Sequence, residues 1–259
     1  MNIPSSSKGL PRALEVVIAL VGLIAISPVL LIAALAIAVT SPGPILFRQQ
    51  RMGRNGQLFT LYKLRTMCLI HSGPQVTSNG DCRITAAGRI LRHSKLDEAP
   101  ELWNVVKGDM ALVGPRPEVP AYVDLKNDLW RQVLEARPGL TDPTTLLLRN
   151  EGLLLSSVAE PEKFYLQYLQ PYKLRGYIAY LERCSWRSDL AVLWQTVVAV
   201  IMPRVSPPPS VEEICGSTPA DPNPASVERE GAVPAACYAT KPGAQSVSTK
   251  DVSEKPCEV

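Results

Sequence analysis

Asp97 and Glu98 are adjacent carboxylates five residues beyond Arg92, within a stretch crowded with cations. Between residues 41 and 116, eleven Lys and Arg (Arg48, Arg51, Arg54, Lys63, Arg65, Arg83, Arg89, Arg92, Lys95, Lys107 and Arg116) face five acidic residues. Arginine offers a planar fork that matches phosphate oxygens. Two neighbouring carboxylates in such a field can divide phosphoryl chemistry: one attacks phosphorus while the other holds Mg²⁺. Nearby cations and a helix dipole are expected to keep the attacking carboxylate ionised. The plainer account of the same residues is a helix start, with Ser94-x-x-Asp97 as a capping box. Gly114-Pro115-Arg116-Pro117 is a second feature. Its prolines fix φ on both sides of the arginine, which lowers the entropy lost on clamping a ligand, although a bare tetrapeptide of this kind also serves as a rigid turn.

These residues need a scaffold, and residues 41–204 read as a compact, mixed α/β, helix-rich domain. Gln57–Met67 alternates imperfectly around Phe59, Leu61 and Leu64, as a strand or hairpin arm does, and follows turn residues Gly53–Gly56. Glu98–Val106 reads as a helix ended by Gly108. Trp186, Leu190, Leu193, Trp194, Val197 and Ile201 recur at helical spacing and give an amphipathic helix. Packing against the core is the default reading of that stripe; lying in a membrane interface is the other.

Val16–Val39 carries no charge over 24 residues. At 1.5 Å per residue it makes roughly 36 Å of helix, enough to cross a bilayer core and too long for a signal-peptide core. Lys8 and Arg12 precede it and Arg48, Arg51 and Arg54 follow it, so charge gives no orientation. Ser27-Pro28 sits mid-segment, where proline removes a donor and bends or breaks the helix. Periodicity alone favours a kinked spanning helix over one that dips in and returns.

The chain is 46% hydrophobic and 20% charged, with 24 Pro, which excludes collagen, a small disulfide knot and a wholly disordered chain. Residues 1–204 hold 23 Lys+Arg against 16 Asp+Glu, pointing to anionic partners; residues 205–259 hold 4 against 8. That last segment carries 9 of the prolines and a single aromatic residue, Tyr238, so it is expected to be disordered. Six cysteines without a Cys-x-x-Cys pair argue against a metal ribbon and for reduced thiols. No P-loop, dinucleotide fingerprint, zinc-protease motif, nucleophile elbow or Asp-x-Asp occurs, and basic residues are not interleaved with aromatics as in a single-strand binder, so nucleic acid is not an expected partner.

Together the ordered strings resemble the bacterial sugar transferase family, the small monotopic phosphoglycosyl transferases. The strings are Ser27-Pro28; Ser41–Pro44 with Phe47–Gln49 and Arg51–Gly53; Phe59–Met67; Thr85–Arg92; Leu96–Glu98 with Leu102–Val105; Lys107–Met110; Val113–Pro117; and Arg137–Thr141. They cover roughly residues 10–200. The resemblance implies a re-entrant helix (13–40) broken at Ser-Pro, after a short flank (1–12), with both ends on the cytosolic side of the bacterial inner membrane. That reverses the preference for spanning. It implies a catalytic domain (41–204) ahead of the tail (205–259), and the minimal form of the family. By position, Asp97 matches the family nucleophile and Glu98 the carboxylate associated with Mg²⁺. Lys63, Arg65, Arg92 and Arg116 match stretches whose basic residues bind nucleotide or phosphate.

The implied reaction moves a sugar 1-phosphate from a UDP-sugar to polyprenyl (undecaprenyl) phosphate through an aspartyl-phosphosugar intermediate. It would start exopolysaccharide, lipopolysaccharide or glycoprotein glycan assembly. A homodimer is compatible with the resemblance. Two departures stand out. The chain continues Thr141 with Asp142-Pro143 where many members have Gly-Trp, and it has Tyr177 near a position where members often carry Asp. The alternative reading is a non-catalytic, membrane-tethered module that binds phosphorylated ligands or partner subunits through its basic face; it leaves the Asp-Glu pair unexplained.

Overall fold

The computed structural model describes residues 9–68, 81, 83–202 and 209–216. It opens with a long helix, α1 (Arg12–Thr40). An antiparallel hairpin of β1 (Leu46–Met52) and β2 (Leu58–Leu64) follows, joined through Asn55 and Gly56, both at positive φ. Next come α2 (Ala86–His93), α3 (Glu101–Lys107), β3 (Ala111–Val113), α4 (Asp128–Glu135) and β4 (Gly139–Thr141), with β3 and β4 paired in parallel. The remaining helices are α5 (Pro143–Leu147), α6 (Glu151–Ser156), α7 (Pro161–Phe164), a π-helical turn (Tyr165–Leu169) leading into α8 (Gln170–Arg183), α9 (Trp186–Ile201) and α10 (Val211–Gly216). The expected helix-rich α/β class is therefore observed, as two separate two-stranded sheets among helices.

The helix continues through Pro28, so Ser27-Pro28 can bend α1 but does not divide it into two helices. Proline cannot donate to the carbonyl of Ile24; the Ser27 hydroxyl donates to that oxygen instead, at 2.8 Å. Both ends of α1 are tied to the same body. At the start, Arg12 donates to the carbonyls of Met110 and Val105, and Glu15 accepts from Leu112 N–H at 3.1 Å. At the end, Ala33 and Ile37 pack on Leu64 and Leu91, and the Arg65 guanidinium donates to the carbonyls of Ser41 and Pro42. Much of the rest of the helix surface is exposed and apolar, including Val21, Ile24, Leu31, Ile32 and Val39.

The main core gathers Ala19, Phe59, Leu61, Val105, Met110 and Val192, joining α1, β2, α3 and α9. Each such side chain removed from water contributes about 1–3 kcal/mol. Asn104 extends the hairpin sideways: its amide donates to the Thr60 carbonyl at 2.7 Å and its oxygen accepts from Tyr62 N–H at 3.2 Å, filling strand-edge groups that would otherwise be unpaired.

Three expectations are corrected here. Most of the tryptophan stripe on α9 does not pack on the core: Leu193 does, but Trp194 and Ile201 are 69% and 70% exposed, while Asp189, Val192 and Thr196 face inward. Asp189 explains the inversion, because it accepts from Leu10 N–H at 2.9 Å and Tyr180 O–H at 2.5 Å, and those bonds fix which side of the helix is buried. Part of the tail is ordered: α10 places Ile214 in a cluster with Leu148, Leu155 and Phe164, and an apolar residue at that position is enough to dock one short helix. Residues 205–208 and 217–259 of the tail lie outside the described residues. Cys68 and Cys184 are reduced, the Cys184 thiol donating to the Leu181 carbonyl, whereas Cys215 is disulfide-bonded, so the expectation of reduced thiols throughout does not hold.

Candidate active site

The carboxylate pair sits on a tight 3₁₀ turn, Leu96–Glu98, between α2 and α3. Ser94 does not cap it; its hydroxyl donates back to the Ile90 and Leu91 carbonyls, closing α2. Lys95 makes the reversal instead, in the left-handed region at φ +58°. For a residue with a Cβ this conformation costs about 1–2 kcal/mol, and it aims the two following carboxyl groups at the end of β2. Gly108, at φ +99°, ends α3 as expected.

Arg116 reaches the pair from the loop after β3. That loop is fixed by β4: Gly114 N–H donates to the Thr141 carbonyl and Gly139 N–H to the Pro115 carbonyl, each at 2.9 Å. A Cβ on Gly139 would stand 2.1 Å from the Gly114 nitrogen, so the glycines of the two motifs are needed where their backbones touch. Arg51, on β1, holds the loop from the other side through the Pro117 carbonyl at 3.1 Å and the Glu118 carboxylate at 3.3 Å.

Glu98 is gripped by cations. Arg116 donates to both of its oxygens, and Lys63 donates to Oε1 at 3.2 Å. Burial raises the Glu98 pKa, but Arg116, Lys63 and Lys95 together outweigh it and hold the group well below the usual carboxylate range. Asp97 is the opposite case. It is 7% exposed, and its Oδ1 is buried with no hydrogen-bond partner. Burial, and next the charge of Glu98, push its pKa up to about 6, against the pull of Lys63, Lys95 and Arg92. The expectation that surrounding cations keep Asp97 fully ionised is thus corrected: desolvation outweighs them. Above pH about 6 it is a mostly ionised, poorly solvated carboxylate, the state in which a weak nucleophile reacts best.

Lys63, Arg92 and Arg116 converge on the pair as the sequence implied. Arg92 is steadied by the Thr66 hydroxyl at 2.9 Å and acts on both carboxylates through space. Arg65 does not join them in the same way: two of its nitrogens cap the end of α1, and the residue is buried. Glu101 was missed. It is 1% exposed and lies 3.1 Å from Lys63 Nζ, so that lysine stands between two carboxylates. Its position three residues after Glu98, one helical turn on, was a legible signal.

A sequence profile of the family described as bacterial sugar transferase matches residues 6–203. The chain belongs to the bacterial sugar transferase family. Among its relatives, a UDP-glucose:undecaprenyl-phosphate glucose-1-phosphate transferase of Caulobacter vibrioides is 48% identical over 135 residues, covering 50% of this chain and 51% of that protein. An Escherichia coli K12 protein of the same name is 35% identical over 175 residues, covering 64% of this chain and 37% of its own. The exopolysaccharide production protein ExoY of Sinorhizobium fredii is 31% identical over 214 residues, covering 75% of this chain and 87% of its own. The match therefore spans about half or less of the first two relatives and most of the third.

Proposed function

We propose that the protein is a phosphoglycosyl transferase that moves a sugar 1-phosphate from a UDP-sugar to a polyprenyl phosphate carrier, the opening step of exopolysaccharide, lipopolysaccharide or glycoprotein glycan assembly. The observation that carries this reading is the asymmetry of the pair: Glu98 is neutralised by Arg116 and Lys63, while Asp97 keeps a buried, unpartnered oxygen beside it. Asp97 attacks the β-phosphorus; the bond from that phosphorus to the bridging oxygen breaks, and UMP leaves with the electron pair. An oxygen of the carrier phosphate then attacks the same phosphorus and releases the Asp97 carboxylate. Lys63, Arg92 and Arg116 lie where they can meet the equatorial oxygens as charge spreads over them. The names of the relatives support the donor and acceptor classes.

Among the described residues no three His, Cys, Asp or Glu side chains stand together as a metal cage. Mg²⁺ is usually held by one or two carboxylates plus substrate phosphates and water, and the donor set suits an ion that arrives with the diphosphate. Asp97 Oδ1 has no hydrogen bond to give up but is buried, so an ion would meet it only as the diphosphate enters; Glu98 would hold the ion only by releasing a bond from Lys63 or Arg116. When bound, the ion offsets charge on the diphosphate.

A monotopic placement on the cytosolic face of the inner membrane is part of the proposal. At 29 residues α1 is about 43 Å long, yet both of its ends hold the same body, which supports both ends lying on one side of the membrane, with a bend at Pro28 rather than a break turning the helix back. The outward Trp186–Ile201 stripe of α9 would lie at headgroup depth. Asp97→Asn tests the function: UMP release from a UDP-sugar should disappear while membrane association persists, and wild-type turnover would refute the assignment.

A further inference from the structure

The proposed reaction needs its lipid acceptor to reach Asp97 from the bilayer, and the hairpin carries a surface suited to that. Phe47 on β1 stands directly opposite Lys63 on β2, so the two side chains share a face of the ribbon. Lys63 is the cation that bonds Glu98. Phe47 is 45% exposed, and its neighbours Ile45 and Leu46 are exposed as well, although all three are large and apolar. They begin a few residues after the exposed apolar end of α1 at Leu35 and Val39.

The stretch Pro44–Arg48, with Arg65 beneath it, lines an open cavity of about 620 Å³. Arg65 is buried, and its Nε has no hydrogen-bond partner while its other nitrogens hold the end of α1. Arg48, on the rim, is exposed, and its guanidinium makes no hydrogen bond or ion pair among the described residues. An apolar strip with two arginines in its lining, starting just after the exposed apolar end of α1 and holding Phe47 across the ribbon from Lys63, has the chemistry of one kind of occupant: an anionic phosphate head on an apolar chain. A UDP-sugar has one flat base that could stack on Phe47 but no apolar chain to lie along Ile45 and Leu46 toward the exposed end of α1.

We propose that this trough is the acceptor subsite: the first isoprenoid units of polyprenyl phosphate lie on Ile45 and Phe47, and Arg48 draws the phosphate in from the membrane plane. The inference rests on the transferase reading above, and its test separates the two. Phe47→Gln and Arg48→Gln change exposed side chains, so the fold should tolerate both. Each full-length variant in lipid nanodiscs would be assayed in two ways: for the apparent KM of a polyprenyl phosphate at saturating UDP-sugar, and for exchange of labelled UMP into UDP-sugar with no acceptor present.

The expected result is an acceptor KM raised about tenfold for Phe47→Gln, in line with losing part of an aromatic contact, with the exchange rate within a factor of about two of wild type. Arg48→Gln should raise the acceptor KM and also flatten its dependence on salt. Acceptor KM values unchanged in both variants would overturn the proposal, as would an equal loss in both assays. If the wild type itself shows no exchange, the covalent reading fails; an acceptor-selective KM change would still support the trough.

Discussion

Arg116 and Glu98 are joined at two points: Nη1 donates to Oε2 at 3.3 Å and Nη2 donates to Oε1. This fork closes the site from the β3 side and leaves Asp97 as the carboxylate without such a partner. Arg116→Lys keeps the charge but cannot bridge both oxygens. It is expected to lower kcat/KM for the UDP-sugar by about 2 kcal/mol, roughly thirtyfold. Steady-state UMP release measures this; a change under about twofold would mean that the fork is dispensable.

Asp97 makes the empty fold less stable. Its pKa is 3.8 ordinarily and about 6 in the fold, so the folded state holds a proton that the unfolded chain gives up. The destabilisation is absent below pH about 4, grows as pH rises to about 6 and is complete above that, approaching about 3 kcal/mol. In metal-free buffer Asp97→Asn should therefore unfold at higher urea than wild type at pH 7.5, with the two converging near pH 4. The same shift places the acid limb of UMP exchange near pH 6, activity rising with pH as the carboxylate ionises. A variant less stable than wild type at pH 7.5 would contradict the burial argument.

How much of this was legible in the chain depended on whether a signal was local. The strand Leu58–Leu64 and the Gly108 helix stop follow from short motifs, and the gathering of Lys63, Arg92 and Arg116 was implied only by the family resemblance. Long-range pairings were not readable. Asp189 bonds Leu10, 179 residues away, and that contact turns the α9 stripe outward. Arg65 looked like one more phosphate ligand because its type is right; only the fold brings it to the end of α1. Burial was equally invisible: a count of nearby cations gives an ionised Asp97, and the desolvation that opposes them belongs to the packed structure.

The tie of both α1 ends to one body gives a topology test. Placed one at a time in a variant whose six native cysteines are replaced by serine, Ser6→Cys and Thr40→Cys should both be shielded from a membrane-impermeant maleimide added outside intact cells and both react once the cells are opened. Labelling of either from outside would exclude the re-entrant placement.

Trp194 is expected at headgroup depth. Brominated lipids should quench wild-type fluorescence more than that of Trp194→Phe, because heavy-atom quenching needs close approach of the indole to lipid. Equal fractional quenching of the two proteins would leave α9 in water.

The most direct test is to catch the covalent enzyme. Purified protein would be incubated with a UDP-sugar labelled in its β-phosphate, without lipid acceptor, then digested and analysed by mass spectrometry. A sugar-phosphate adduct on the peptide containing Asp97, absent in Asp97→Asn and discharged by polyprenyl phosphate, is the expected result. Unlabelled protein that still forms lipid-linked product once acceptor is added would contradict it.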